Sequence, residues 1–360
     1  MNNKNNYCVI MGGGIGSRFW PFSRESKPKQ FLDFFGTGQS LLRMTFERFN
    51  KVLPTENIYI VTNKDYAELT MSELPELSPN QILLEPMRRN TAPCIAYASY
   101  HIKSKNSNAN IVVAPSDHLI LKEDEFINVM ERAYSFVSKN PVLLTLGIRP
   151  SRPETGYGYI QMNEEKLDGI TKVKVFTEKP NIELAKVFYE SGEFLWNSGI
   201  FAWNVDSIID AFRQYLPEIA ARFDSGIGVY GTAEEETFLN NNFPFCPNIS
   251  IDYGVMEKAN NVYVKAADFG WSDLGTWGSL YDLSDKDENA NATLTSKTMF
   301  FESTENIVAT PSDKLVVIQG LNGYIVAESN NVLLICKKED EQQIKHFVTD
   351  AKLKYGDDFI

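Results

Sequence analysis

Residues 7–18 of the chain are YCVIMGGGIGSR, an apolar run that passes directly into a glycine-rich loop. The apolar part, Tyr7–Met11, is too short for a membrane span or a signal peptide and predicts a buried β-strand. A glycine loop at the carboxyl end of a parallel strand lets backbone N–H groups approach the oxygens of a phosphate closely. These residues therefore predict an α/β fold with a phosphate site after its first strand.

The following residues alternate between β-type and helical patterns. The further β-type runs are Ile58–Thr62, Ile82–Leu84, Ile111–Ala114, Val142–Leu146 and Lys172–Thr177. Between the first two strands, Leu42, Phe46, Phe49 and Leu53 recur at helical spacing. Strand and helix in alternation predict a doubly wound, mostly parallel sheet with helices on both faces, a Rossmann-like arrangement.

The composition changes after about Leu283, where a polar stretch precedes a second set of β-type runs. These are Ile307–Ala309, Leu315–Ile318, Tyr324–Ala327 and Val332–Ile335. A six-residue spacing from Ala309 to Leu333 indicates β-helix coils, and residues 339–360 predict a closing amphipathic helix. We therefore expect a first domain over residues 1–285 and a small β-rich C-terminal domain over residues 286–360.

Composition and charge exclude several classes of function. The 360 residues are 43% hydrophobic and 23% charged, an ordinary globular mixture, and the net charge of -12 argues against a nucleic-acid partner. No apolar run approaches the roughly 18 residues of a membrane span, so no membrane association is expected. The four scattered cysteines indicate reduced thiols in a cytoplasmic protein, and the three histidines are too few for a histidine-based zinc site.

The glycine loop fits neither of two common nucleotide motifs. Ser17 and Phe19 stand where a dinucleotide fingerprint would need its third glycine, and no Gly-Lys-Ser/Thr closes a P-loop. The loop instead carries four cations, Arg18, Arg24, Lys27 and Lys29, against one acid, Glu25. Several cations beside a glycine cradle favour a polyphosphate ligand.

Eight motifs together resemble the signature of the mannose-1-phosphate guanylyltransferases over roughly residues 7–283. They begin at residues 13, 28, 85, 115, 155, 178 and 196 with GGIGSRFWPFSR, PKQFL, EPMRRNTAP, PSDH, TGYGYI, EKP and WNSGIF, and WSDLGTW follows at residue 271. The resemblance implies attack by a mannose 1-phosphate oxygen on the α-phosphorus of GTP, which gives GDP-mannose and diphosphate. It also implies a C-terminal domain like part of a left-handed β-helix, and a homodimer.

The resemblance assigns roles to individual residues. Arg18 and Lys29 would hold the triphosphate, and Asp117 and Asp273 would be ligands of Mg²⁺, whose preference for hard carboxylate oxygens they match. The catalytic set is Arg18, Lys29, Asp117, Lys179 and Asp273. The implied nucleotide contacts are Gly12, Gly13, Gly14, Gly16, Ser17, Glu85, Asn90 and Thr91, and the implied sugar-phosphate contacts are Gly158, Glu178, Lys179 and Asn197.

Glu85 is the candidate reader of the base. Guanine presents two adjacent donors, N1–H and the exocyclic amine, and a carboxylate is an acceptor-only fork that matches both. Glu85 is placed at the end of a predicted strand, where ligands bind in such sheets.

Three alternatives remain open on the sequence. One is a sister nucleotidyltransferase for another hexose or heptose 1-phosphate or another nucleotide. A second is a non-catalytic, nucleotide-sensing regulatory subunit, which would be expected to lack Arg18, Lys29 or an aspartate of the set. The third is a metal-dependent glycosyltransferase, whose Asp-x-Asp motif is matched only by Asp285-Lys286-Asp287 in a polar stretch.

Overall fold

A computed structural model describes residues 4–294 and 296–360. Residues 1–3 and 295, which fall within the two predicted domains, lie outside the described residues. The first strand, β1 (Asn6–Met11), is buried along almost its whole length. A strand covered on both faces is continuously apolar, which is the pattern that predicted it.

The strands up to residue 272 include every run that the sequence predicted there. They are β1, β2 (Ile58–Asn63), β3 (Ile82–Glu85), β4 (Asn110–Pro115), β5 (Leu119–Ile120), β6 (Leu143–Ile148), β7 (Tyr159–Leu167), β8 (Ile170–Thr177), β9 (Phe194–Asn204), β10 (Val262–Ala267) and β11 (Trp271–Ser272). The helices are α1 (Leu41–Asn50), α2 (Ala67–Glu73), α3 (Thr91–Lys105), α4 (Glu123–Val137), α5 (Ile182–Ser191), α6 (Val205–Tyr215), α7 (Pro217–Asp224), α8 (Glu235–Asn242) and α9 (Trp277–Leu283).

The main sheet has the order β3-β2-β1-β4-β9-β6-β10-β8-β7. Its first four strands are mutually parallel, so their carboxyl ends and the loops that follow them share one edge. Strand β9 lies between β4 and β6 and is antiparallel to both. The prediction of a mostly parallel, doubly wound sheet is confirmed, with antiparallel strands added at the centre and at one side.

Grouped by their internal contacts, the described residues form two compact units. Unit 1 comprises the described residues up to Gly13, Phe46–Ser116 and Ile120–Trp271. Unit 2 comprises Gly14–Thr45, Asp117–Leu119 and the described residues from Ser272 to Ile360. A domain is a region that could fold by itself, whereas these two units are defined by their internal contacts. The predicted domain boundary at residue 285 therefore stays a prediction.

Unit 1 is organised around the main sheet. Its core combines the apolar residues of β1, β2, β4 and β9 with the buried faces of α3, α6 and α7. Helix α3 begins at Thr91, and Asn90 is its N-cap, because the Asn90 side chain accepts the Thr91 N–H at 2.9 Å. Almost every residue in the first three turns of α3 is buried, which fixes this helix against the sheet.

Unit 2 contains the C-terminal strands and the closing helix. These are β12 (Ala292–Thr293), β13 (Lys297–Phe301), β14 (Ile307–Ala309), β15 (Leu315–Gln319), β16 (Tyr324–Ser329), β17 (Val332–Lys337) and α10 (Ile344–Tyr355). β14 pairs with β16 and β13 with β15, each in parallel and with partners 18 residues apart. An 18-residue step is three six-residue segments, which agrees with the predicted β-helix-like domain.

The six-residue spacing does not mark one buried face, however. Ala309 and Ala327 are buried, whereas Leu315 is 61% exposed and Leu333 is also exposed.

In the part of the chain that is described, no helix has the length and apolar character needed to cross a membrane.

Candidate active site

The glycine loop after β1 contains one amide that is already used and several that are not. The Gly12 N–H donates to the Val61 carbonyl at 2.8 Å, and the Gly12 carbonyl accepts from the Thr62 hydroxyl at 2.9 Å. Within the described residues, the amides of Gly14, Ile15 and Gly16 donate to no other group. Free N–H groups in a glycine loop are what a phosphate needs.

Gly16 cannot be replaced without moving the loop. Its φ of 71° is in the left-handed region, and a Cβ on Gly16 would lie 2.3 Å from the Lys29 Cβ. Two hydrogen bonds tie the loop to itself, from the Ser23 hydroxyl to the Gly16 carbonyl at 2.6 Å and from the Lys29 N–H to the Ile15 carbonyl at 3.1 Å. The loop therefore brings the Lys29 side chain directly against Gly16.

Lys29 joins the two predicted metal ligands within unit 2. Its ammonium donates to Asp117 Oδ2 at 2.9 Å and to the Asp273 main-chain carbonyl at 2.6 Å. Lys29 is only 4% exposed, so both interactions take place away from bulk water. Residues separated by 88 and by 244 positions along the chain therefore meet at one ammonium.

The Asp117 carboxyl is held in its ionised form. Burial acts to raise its pKa, but the Lys29 ammonium and then His118 lower it, and the net effect is a pKa below the ordinary value. The Asp273 carboxylate accepts the Gly275 N–H at 2.9 Å. Among residues 4–294 and 296–360, no three His, Cys, Asp or Glu side chains are grouped so that they could hold a metal ion. A metal held by these two aspartates would therefore need ligands from substrate and water.

The other cations of the loop differ in what they contact. Arg18 is partly exposed and has no hydrogen-bond or ion-pair partner within the described chain. Arg24 is only 8% exposed, and its guanidinium is engaged by the C-terminal residues of unit 2. The sequence hypothesis that Arg24 joins the polyphosphate group is therefore wrong, because its donors are already occupied.

Glu85 lies at the end of β3 in unit 1 and is 5% exposed. Its Oε1 is buried and has no hydrogen-bond partner among the residues described. Its Oε2 lies 3.5 Å from where a Cβ on Gly13 would be, so the carboxylate is beside the start of the glycine loop. Burial raises the pKa of Glu85 to about 7, against smaller opposing effects of the Cys94 thiol and the Arg88 charge. A buried acceptor without a donor fits a ligand that supplies one.

Asn90 and Thr91 are both used at the start of α3. The Asn90 side chain caps the helix, and the Thr91 hydroxyl accepts the Ile251 N–H at 2.9 Å. Asn90 has a φ of 65° and is exposed. Their contact with a nucleotide stays a prediction.

The predicted sugar-phosphate residues meet in unit 1. Glu178 is paired with Lys179, whose side chain is exposed. A Cβ on Gly158 would lie 2.5 Å from Glu178 Oε2 and 3.3 Å from the Asn197 Cβ, so only glycine admits this approach. The Asn197 N–H donates to the Gly158 carbonyl at 2.8 Å. These four residues therefore form one group, and their contact with a sugar phosphate stays a prediction.

Three residues that were given no chemistry from the sequence complete this group. Asp252 Oδ1 accepts from Asn197 Nδ2 at 2.9 Å, and the Thr145 hydroxyl donates to Asn197 Oδ1 at 3.1 Å. Glu257 Oε1 accepts the Glu178 N–H at 3.2 Å. Burial, and then the Glu178 charge, raise the pKa of Asp252 to about 6. None of the eight motifs contains Asp252, and its pairing with Asn197, 55 residues earlier, is a long-range contact.

Comparison with known proteins gives a consistent family. The family model described as nucleotidyl transferase matches residues 7–290. A mannose-1-phosphate guanylyltransferase of Salmonella montevideo is 35% identical over 96% of this chain and 74% of its own length. One from Escherichia coli is 34% identical over 96% of this chain and 75% of its own length. A crystal structure described as that of a mannose-1-phosphate geranyltransferase from Thermus thermophilus superposes on this chain with a TM-score of 0.85. It has 28% identity and covers 97% of this chain and 99% of that one.

Proposed function

Because the chain belongs to the nucleotidyl transferase family, we propose that it transfers GMP from GTP to α-D-mannose 1-phosphate and releases diphosphate. The product is GDP-mannose. The relatives that carry this activity in their names cover most of the chain at about one third identity. The observation that carries the proposal is the Lys29 ammonium, which holds Asp117 and the Asp273 turn together next to a glycine loop with free amides.

The nucleophile needs no activating base. A phosphate monoester is largely a dianion at neutral pH, since its second pKa is about 6. The work of the protein is to position two anionic substrates and to offset the negative charge that gathers at the α-phosphorus. Histidine is accordingly not required for this chemistry.

Unit 2 supplies the groups that handle the triphosphate. Arg18, with its unused guanidinium donors, binds phosphate oxygens as a fork, and Lys29 contributes a point charge. The free amides of Gly14 and Gly16, with Ser17 beside them, form the phosphate cradle in this unit, whereas the amide of Gly12 is already bonded to the Val61 carbonyl. The leaving diphosphate is stabilised by the same donors.

Mg²⁺ is the metal that suits this donor set. The two aspartates offer hard carboxylate oxygens, and Asp117 stays ionised beside Lys29. Asp117 and Asp273 would hold the ion, with phosphate oxygens and water as its remaining ligands. When bound, it would neutralise phosphate charge and help to align the attacking and leaving oxygens.

Unit 1 supplies selectivity. Glu85, with Asn90 and Thr91 beside the following helix start, binds the guanine edge, because its unpaired oxygen can accept from N1–H and the exocyclic amine. Lys179 binds the phosphate of mannose 1-phosphate, and Glu178 and Asn197 accept from or donate to its hydroxyls. Gly158 leaves the space that Glu178 occupies.

The assembly and location of the protein are proposals as well. One face of the β13 and β15 pair exposes Met299, Phe301, Leu315 and Val317, an apolar surface suited to a homodimer contact. The four cysteines are free thiols, which fits a reducing cytoplasm. Light scattering of the purified protein tests the dimer.

The first experiment measures diphosphate release with Mg²⁺ for GTP, ATP, UTP and dTTP against mannose, glucose and fucose 1-phosphates. Turnover confined to GTP with mannose 1-phosphate is the expected result. Turnover with another pair would keep the reaction and replace the substrate. Binding of GTP without turnover across the whole set would contradict the proposal and favour a regulatory protein.

A further inference from the structure

Arg24 lies in the same loop as Arg18 and Lys29, but its guanidinium donates to residues much later in the sequence. Its Nη2 donates to the Ser329 carbonyl and to Asn331 Oδ1, both at 2.9 Å, and its Nη1 donates to the Asp358 carbonyl at 3.2 Å. These acceptors are about 300 residues further along the sequence. All of them belong to unit 2, so Arg24 links the loop to residues 329–331 and 358 within one compact unit.

Two further contacts join the same segments. The Trp20 indole N–H donates to the Phe359 carbonyl at 2.7 Å, and Asn331 Nδ2 donates to the Asp358 carbonyl at 3.3 Å. The terminal Ile360 is buried as well. We call these residues, Ser329–Asn331 and Asp358–Ile360, the C-terminal latch.

The latch is connected to both sides of the phosphate site. On the loop side, Arg24 and Lys27 exchange two main-chain hydrogen bonds of 3.1 Å, and Lys29 follows two residues later. On the other side, the Trp277 indole donates to the Trp20 carbonyl at 3.4 Å, four residues after Asp273. The Trp277 ring also lies 5.4 Å from the Phe19 ring, next to Arg18.

The acceptors around Arg24 are neutral, which distinguishes it from an ordinary surface ion pair. Burial lowers the pKa of its guanidinium from the ordinary value, as expected when a cation is desolvated without a carboxylate beside it. A guanidinium presents donors in a fixed fork, and here the fork matches three separate oxygens. A lysine ammonium would keep the charge but would have no comparable planar fork.

We propose that Arg24 is a positioning residue and that the C-terminal latch holds the glycine loop in the conformation that binds the triphosphate. The inference rests on the proposed function, because it assigns the latch a role in GTP use. Residues 329–331 and 358–360 then act on catalysis without touching substrate. Displacement of a bound phosphate by about 1 Å can cost up to about 100-fold in rate.

The experiment compares Arg24→Ala, Arg24→Lys, Asn331→Ala and a chain lacking residues 358–360, with steady-state kinetics for GTP. We expect kcat/KM to fall about 10- to 100-fold in Arg24→Ala and in the shortened chain. A protein that carries Arg24→Ala and also lacks residues 358–360 should lose no more activity than the more severe of these two single variants, because both changes break the same connection. Arg24→Lys should recover little. Recovery of most activity by lysine would overturn the latch and indicate a direct phosphate contact instead.

A matched control is available on the same two segments. Lys352 pairs with Glu25 at 3.4 Å and with Asp357 at 3.1 Å, all three side chains being exposed. Exposed pairs of this kind contribute little, so Lys352→Ala should change kcat/KM less than twofold. An equal loss in Lys352→Ala and Arg24→Ala would contradict a specific role for the buried contact.

A second readout does not depend on the reaction. Hydrogen exchange of residues 14–32 in the substrate-free protein should become faster in Arg24→Ala and in Asn331→Ala, while the amides of α3 in unit 1 stay protected. If the wild-type protein turned over no substrate, the proposed function would fail while this exchange result still tested the latch. Unchanged exchange in both variants would overturn the latch whatever the activity.

Discussion

Carboxyl groups in the two units have opposite protonation tendencies. In unit 2, Asp117 contacts the Lys29 ammonium at 2.9 Å, and its pKa is lowered. In unit 1, Glu85 is buried and Asp252 is half-buried, and their pKa values are raised to about 7 and about 6. Burial acts in the same direction on all three groups, so the nearby cation makes the difference.

This contrast shows what each group is suited to do. A carboxylate that stays ionised over the physiological range can hold a divalent cation. A buried carboxyl that titrates near neutrality is strained when ionised, and a ligand that donates hydrogen bonds to it relieves that strain. Asp117 of unit 2 therefore suits the role of a metal ligand, whereas the two unit 1 acids suit recognition of polar ligand edges.

The largest expected effect comes from replacing the two predicted metal ligands of unit 2. Asp117→Asn and Asp273→Asn should each lower turnover at least about 100-fold with Mg²⁺, because a neutral amide is a poor ligand for this ion. Diphosphate release measures the loss, and circular dichroism checks the fold. Asp313→Asn, an exposed change in the same unit, is the control. Near-normal rates in either aspartate variant would refute the metal assignment.

The second prediction separates two glycines of the same loop. Gly16→Ala should displace Lys29 from Asp117, since the new Cβ would lie 2.3 Å from the Lys29 Cβ at a positive φ. We expect a loss of about 1–3 kcal/mol in stability and a fall in kcat/KM for GTP. Gly14 has open space around it, so Gly14→Ala should leave the melting temperature unchanged. Equal melting temperatures for both variants would be the contrary result.

The third prediction concerns Glu85, the buried carboxyl of unit 1 whose pKa is raised. Glu85→Gln should weaken selection of GTP over UTP and dTTP about 10-fold or more, because the amide supplies a donor where guanine needs an acceptor. The same change should stabilise the free protein at pH 8. The folded pKa of about 7 lies above the ordinary value of 4.5, so the wild-type protein loses up to about 3 kcal/mol as pH rises through this interval.

Chemical unfolding at pH 5 and pH 8 checks the stability effect, and competing-substrate kinetics check selectivity. Glu131→Gln, which changes an exposed acid elsewhere in unit 1, is the control. Unchanged selectivity would remove Glu85 as the reader of the base, whatever its effect on stability.

The fourth prediction concerns pH. Binding of guanine donors requires ionised Glu85, so GTP affinity should rise by up to about 10-fold between pH 6 and pH 8 if the pKa is about 7. Titration of the GTP phosphates is common to both proteins, so the ratio of wild-type to Glu85→Gln affinity isolates the carboxyl. A ratio that stays constant over this pH range would contradict the assignment.

The smallest effect is expected at Asp252. In Asp252→Asn the new amide oxygen can still accept from Asn197, so KM for mannose 1-phosphate should rise only a few-fold. Stability above pH 6 should increase, because the folded pKa of about 6 lies above the ordinary value of 3.8. Thermal melting at pH 5 and pH 8 measures this. A loss of stability at pH 8 would show that the carboxylate is needed in its ionised form.

Most of the fold could be predicted because its signals are local. Strands β1 to β4 are short apolar runs, and the start of α3 is a capping residue followed by proline. Strand β9 was not assigned, because Ser198 and Gly199 interrupt its aromatic residues, and Gly199 has a φ of 71°. Its antiparallel place between β4 and β6 is a long-range pairing that residue order does not contain.

The candidate site divides in the same way. The glycine loop, the cations beside it and Glu85 at a strand end were found in the sequence, since each depends on residues close together in the chain. The sequence also placed Asp117 after a strand. It could not show that Lys29 bonds both Asp117 and the Asp273 carbonyl.

Residue order alone was therefore enough to establish the alternating α/β pattern, the glycine loop and the family to which the chain belongs. Which charges are paired became visible only in the folded chain. Arg18 and Arg24 are six residues apart and chemically alike, yet Arg18 has no partner among the described residues while Arg24 binds the C-terminal latch. The reason is that the protonation and use of a charged group depend on burial and on the nearest partner, and both are set by residues distant in the chain.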